Sequence, residues 1–333
     1  MRPHIPALLL GLLLALVAAV PVRTAASDLV PTGGWTSELA REHPLVGRIY
    51  ATTGAGAVID AAALRDRVTS AEIVLLGEVH DNADHHRLRA PLLAGKRSVV
   101  FEQLRADQAD VLDALERDRA SGAALPSASE LLKRLAWEQS GWPDAALFEP
   151  LFGAALGQRM AILAGDPARA RIRDVARNGR AALAGGGAEA QQLEIPLGEA
   201  RQAALLDELE ASHCGLVPRT AFGNMAVAQR YRDAHLALRV GDAVSRHGSA
   251  VLITGNGHVR RDRGVPWYLA RQVPPRAALT VMFVEVDPAK TEPAAYVQRG
   301  PEGEPVADIL VFTPRAARPD PCEEMRRAMG KRG

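Results

Sequence analysis

Short apolar runs alternate with stretches of helical period along most of this chain. Runs at 72–77, 98–103, 160–165, 249–255, 278–286 and 308–313 are bounded by polar or turn-forming residues, and they read as buried strands. Between them, apolar positions recur at helical spacing over 83–93, 106–118, 129–137, 144–158, 169–177, 197–212 and 223–247. Alternation of this kind predicts an α/β fold, with a mainly parallel central sheet and helices on both faces. Gly185, Gly186 and Gly187 read as a loop that sets off a helical insertion at about 190–247. The α/β domain then spans 45–313. An irregular segment, 27–44, precedes it, and a loosely packed Arg/Pro-rich tail, 314–333, follows. No internal repeat is visible.

Before residue 27 the pattern changes. Arg2, an apolar run at 5–20 and the small residues Thr24, Ala25 and Ala26 have the layout of a signal peptide, 1–26. The run is short for a membrane span, which needs about 20 residues. A periplasmic or secreted protein is therefore expected. The apolar share of 47% supports a substantial core, and a net charge of +1 gives no electrostatic case for nucleic acid. Cys214 and Cys322 permit one disulfide, and export would place them in an oxidising compartment. One buried and one exposed thiol is the alternative.

Candidate chemistry collects where strands end. The stretch LLGEVHDNADHH, 75–86, carries Glu78, His80, Asp81, Asn82, Asp84, His85 and His86. Glu102 closes the second strand, Asp166 the third, and His258 follows the fourth in GNGH. In parallel sheets, ligands bind beyond the carboxyl ends of the strands, so these residues are expected to share one rim. A single Glu or His after a strand is ordinarily a loop residue or a helix cap. Asn82 and Asp84 fit caps, and His85 and His86 fit a solvated first turn. Recurrence at several strand ends favours a site for Glu78, His80, Glu102 and His258. Gly255 and Gly257 flank Asn256 and permit close approach of a ligand. Gln229, Arg232 and Asp233 share one helical face, either a solvated stripe or a hold on an acidic ligand or a site carboxylate. No dinucleotide fingerprint, phosphate loop, zincin helix, nucleophile elbow or covalent-haem motif is present.

The segments LVGRIY, VLLGEVHDNADHHRLRA, VVFEQL, WEQSGWPD, HCGLVP, MAVAQRYRDAHLA and LITGNGHVRRDRGVPWYL occur in the order that resembles the ChaN-type haem-binding uptake family, over about 45–290. That family lies within the wider Tiki/TraB/erythromycin-esterase superfamily. The resemblance implies an α/β fold, haem as cofactor and partner, and a role in haem or iron uptake. It further implies association with the cell envelope and a homodimer that holds two haems face to face, with a tyrosine on the iron. Superfamily relatives that are hydrolases use the positions matching Glu78, His80, Glu102 and His258. Two departures stand out. The apolar run has no lipid-acceptor Cys, and Phe148 stands where a Tyr is expected.

Two functions of different class follow. A haem-binding protein would draw its cofactor contacts from His85, His86, Tyr231, Arg232 and His235, since haem needs an iron ligand and cations for its propionates. A hydrolase would use Glu78, His80, Glu102 and His258 as catalytic residues. It would either hold a divalent metal through Glu78, His80 and His258, or use His80 as a base oriented by Glu102.

Overall fold

The computed structural model describes residues 28–330; the signal peptide expected at 1–26 lies outside the described residues, as do the last three of the tail. Eight strands form one sheet: β1 (Ile49–Ala51), β2 (Ala57–Ile59), β3 (Ile73–Leu76), β4 (Ser98–Arg105), β5 (Ala161–Asp166), β6 (Ala250–Ile253), β7 (Leu279–Glu285) and β8 (Ile309–Thr313). Their order is β2-β1-β8-β7-β3-β6-β4-β5. β1 runs antiparallel to β2 and β8, and the other neighbours are parallel.

One face of the sheet carries α1 (Ala61–Ser70), α2 (Ala83–Arg89), α3 (Ala109–Ser121), α4 (Ala128–Arg134) and α5 (Ala145–Gly157). The other carries α6 (Arg169–Asn178), α7 (Ala188–Glu194), α8 (Glu199–Ser212), α9 (Phe222–His247) and α10 (Val265–Leu269). Alternation along the strands makes this double layer. Val74 and Leu76 enter the first core, and Ile73 and Leu75 the second. A final helix, α11 (Pro321–Gly330), ends the described chain.

Two expectations change. The insertion does not extend to 247, because α9 packs across β4, β5 and β6 and is itself the crossover between β5 and β6. α6, α7 and α8 stack on α9. The tail is not loose. Arg318 donates to both Asp81 and Glu285, and Cys322 forms a disulfide with Cys214 across a separation of 108 residues. The irregular N-terminal segment is also tied down, since the Asp84 carboxylate accepts the Thr36 and Ser37 N–H groups, each at 2.8 Å. The three-residue β1 and β2 were too short to show a period.

Candidate functional site

β6 lies between β3 and β4, so the carboxyl ends of three adjacent parallel strands open on the same rim. A cleft of about 720 Å³ sits there, lined by Glu78, His80, Glu102, Arg232, Asp233 and His258 among others. Leu205, Glu208, Leu209 and Ser212 of α8 form its far wall. The four residues singled out at the strand ends therefore do converge.

Glu78 leaves β3 pointing inward. Its side chain is inaccessible and faces the buried guanidinium of Arg89, which comes from the inner face of α2. Gln103 donates to Glu78 Oε1 at 2.9 Å. The same oxygen accepts His80 Nδ1–H at 2.7 Å. Arg89 meets the charge of Glu78, so the carboxylate orients the His80 ring more than it charges it. His80 is about a third exposed, and its Nε2 has no partner among the described residues. Burial lowers the His80 pKa and outweighs the Glu102 carboxylate, while His258 and Arg232 lower it further. At neutral pH His80 is a neutral imidazole with its free nitrogen towards the cleft. It fits only because residue 255 is Gly: a Cβ there would lie 2.9 Å from His80 Cε1 and Nε2. Trp142 packs edge-on against the other side, at 4.8 Å between ring centres.

A second cluster lies beside it. Glu102 accepts from Thr254 Oγ1 at 2.6 Å, the Gly255 N–H at 2.7 Å and Arg232 at 2.7 Å. Arg232 also pairs with Asp166, at 2.7 Å. His258 spans Asp233, at 2.6 Å from Nδ1, and Glu102, at 3.3 Å from Nε2. Burial alone would lower the His258 pKa, but the Glu102 and Asp233 carboxylates push it up to about 10, so it is an imidazolium. Burial would likewise raise Glu102, yet His258 and Arg232 hold it well below the usual carboxylate range. The polar stripe on α9 thus faces the site and not solvent. Arg232 and Asp233 are its working members, and Gln229 lines the same cleft.

The metal set Glu78, His80 and His258 is corrected. Among the described residues, no group of three or more His, Cys, Asp or Glu side chains is arranged to hold a metal ion. The reason is electrostatic: both nitrogens of His258 are committed to carboxylates, and Glu78 is neutralised by Arg89. The orienting partner of His80 is Glu78, not Glu102.

The five residues expected to hold a cofactor are not brought together. His85 and His86 are fully buried. His85 Nδ1 accepts the Val79 N–H and its Nε2 donates to Thr313 Oγ1, at 2.9 and 2.8 Å. His86 Nε2 donates to the His80 carbonyl, and its Nδ1 accepts from Arg89, both at 2.9 Å. Burial pushes these pKa values down to about 3 and about 4. Neither offers a free nitrogen, because α2 turns both rings into the core instead of leaving them in a solvated first turn. Tyr231 and His235 do not line the cleft that Arg232 lines; their ring centres are 6.4 Å apart, and His235 Nδ1 is bonded to Glu189 at 2.8 Å. Arg232 is taken by Glu102 and Asp166. Phe148 is buried between His86 and Trp137. Sequence reasoning missed Arg89 and Gln103. Arg89 gave a faint signal, a charge on the face of α2 that also carries His85 and His86.

The class defined by this fold and site is an α/β protein with a ligand cleft at the carboxyl rim of a parallel sheet, floored by buried ion pairs. The chain belongs to the haem-binding uptake family of the Tiki superfamily, the ChaN family, whose model matches residues 64–269. The structure showing cofacial haem binding to ChaN of Campylobacter jejuni is 18% identical, with 79% of this chain and 96% of that chain covered and a TM-score of 0.56, and it shows the same fold. A Bacillus cereus protein is 16% identical with a TM-score of 0.32 and 68% of each chain covered. The type III effector HopBA1 is 12% identical with a TM-score of 0.39, over 81% of this chain and 98% of that one. No curated protein matches the sequence.

Proposed function

We propose that this chain is an exported haem-binding protein of the ChaN type, acting in haem or iron uptake or handling, with His80 as the iron ligand. One observation carries the assignment of His80: a neutral imidazole gives its Nδ1–H to a carboxylate fixed from behind and leaves Nε2 free towards a cleft. Histidines that ligate metal centres ordinarily give their other N–H to such a partner, which fixes the tautomer and raises the basicity of the ligating nitrogen. Bound haem would supply an iron centre for that nitrogen. Val79, Leu205 and Leu209 offer it apolar wall. Arg232 and Arg263 already hold carboxylates, so the fit rests on the imidazole and the apolar wall rather than on free cations.

Haem titration of the mature protein, followed at the Soret band, tests this. A saturable shift that His80→Ala abolishes and His85→Gln leaves intact is expected. A spectrum identical to haem in buffer overturns haem binding, and an unchanged His80→Ala titration overturns the ligand. A homodimer that holds haem between its copies belongs to the same proposal and is read from the mass in solution with and without haem. The Cys214–Cys322 bond is in keeping with export, which fractionation of cells expressing the full chain tests.

A second function is favoured by one further feature. Two histidines in one cleft have pKa values driven apart, His80 down and His258 up, as in sites that pair a base with an acid. Hydrolysis by His80 as a general base, without metal, follows that pattern. His258→Gln separates the two functions: it removes the acid of the pair, and it should remove turnover of a model ester and leave the Soret shift in place.

A further inference from the structure

β5 ends the sheet, and among the described residues no strand pairs with its outer edge. The Ala161 N–H bonds the Arg97 carbonyl beside β4, so Ala161, Leu163 and Gly165 turn their backbone groups to β4. Ile162 and Ala164 therefore turn theirs outward. One of these groups is satisfied, since Arg239 Nε donates to the Ala164 carbonyl at 3.3 Å. The Ile162 N–H and C=O and the Ala164 N–H face away from β4, the one strand paired with β5 among the described residues. They floor a trough of about 360 Å³ between α3 and α9, whose α3 wall carries Ala109 and Leu112 together with Asp113 and Glu116. Backbone groups at alternate residues on an apolar floor are what an added strand would pair with.

Charge gives the added strand a direction. At the amino end of β5 the trough opens onto a second hollow that shares Arg246 and His247 with it and is lined by Lys96, Arg97 and Arg159. Arg97 and Arg246 hold no carboxylate among the described residues. The acidic members of the trough, Asp113 and Glu116, lie on α3, and Glu116 is already paired with Arg119 at 2.6 Å. We infer that this edge takes an extended, apolar peptide that runs antiparallel to β5 and delivers its carboxyl terminus to Arg97 and Arg246. A parallel peptide would bring its ammonium group to the same cations. The inference stands apart from the haem proposal, because the trough lies at the sheet edge and shares no lining residue with the cleft.

The test uses the whole mature protein and the hexapeptide acetyl-Ser-Val-Thr-Val-Thr-Val, as the free acid and as the C-terminal amide. Amide NMR on titration with the acid should shift the Ile162 and Ala164 N–H signals. The acid should bind more tightly than the amide, by up to roughly fivefold, the scale of one exposed charge pair. Arg246→Glu, an exposed change that spares the fold, should remove that difference. Unmoved Ile162 and Ala164 signals overturn the inference, as do equal affinities of acid and amide. If the same signals shift with protein concentration alone, in step with dimerisation, the edge belongs to a second copy of the chain and the peptide assignment falls. Stronger competition by dodecanoate than by the peptide would likewise overturn it in favour of an acyl ligand.

Discussion

Glu78 holds the Nδ1 of His80 at 2.7 Å while the buried Arg89 faces it from behind, so one exposed imidazole is positioned by an ion pair with no access to water. The two members of this relationship differ in what they do for the fold. Glu78→Gln leaves the Arg89 guanidinium buried and uncompensated, at a cost of about 3–5 kcal/mol. His80→Ala removes a partly exposed ring and should cost about 1 kcal/mol or less. Urea unfolding of both variants checks this, and equal losses would mark His80 as a structural residue.

Gly255→Ala is a narrower change. The added methyl would lie against the His80 ring, so the ring must swing from its place between Gly255 and Trp142. The Soret position of the haem complex should move, with a stability loss of about 1–3 kcal/mol from the tight contact. An unshifted band with a normal fold would show that the His80 position does not govern the bound haem.

Stability should fall on both sides of neutrality. The folded His258 pKa, pushed up to about 10, lies above its ordinary 6.5. Its contribution is therefore complete below 6.5 and is lost as the pH rises towards 10. His85 and His86, pushed down to about 3 and about 4, act in the opposite sense. They take up protons in the unfolded chain before the folded one, so stability falls as the pH drops below 6.5 towards 3. Urea midpoints from pH 5 to 10 should trace a dome. His258→Gln should flatten its alkaline limb, and His85→Gln its acid limb.

The Cys214–Cys322 bond closes a loop with a sequence separation of 108. In the chain-entropy model such a loop contributes about 4–5 kcal/mol. Cys322→Ser should lower stability by an amount of that order and raise amide exchange in α11, while the Soret titration keeps its end point. Thiol counting on unreduced, denatured protein should find no free thiol.

The sequence by itself determined the layered architecture. Six strands and most of the helices were legible, because apolar periodicity is a local property and the doubly covered sheet imposes it over long runs. It also determined that Glu78, His80, Glu102 and His258 would meet, since parallel strands with helical crossovers bring their carboxyl ends to one rim. What it left open was how each side chain is used. His80 and His86 sit six residues apart in one motif, yet one faces a cleft and the other the core. That outcome depends on the turn of α2 against Phe148 and on Arg89, contacts made only after distant segments pack. The same holds for charge. Arg232, Asp166 and Glu102 are far apart in the chain and neutralise one another only when α9 lies across β4 and β5. The expected metal set failed there, because a ligand's availability depends on every neighbour in three dimensions and not on its spacing along the chain. The Arg/Pro-rich tail was read as loose for the same reason: its anchors, Asp81, Glu285 and Cys214, are remote in sequence, and tertiary structure alone brings them within reach.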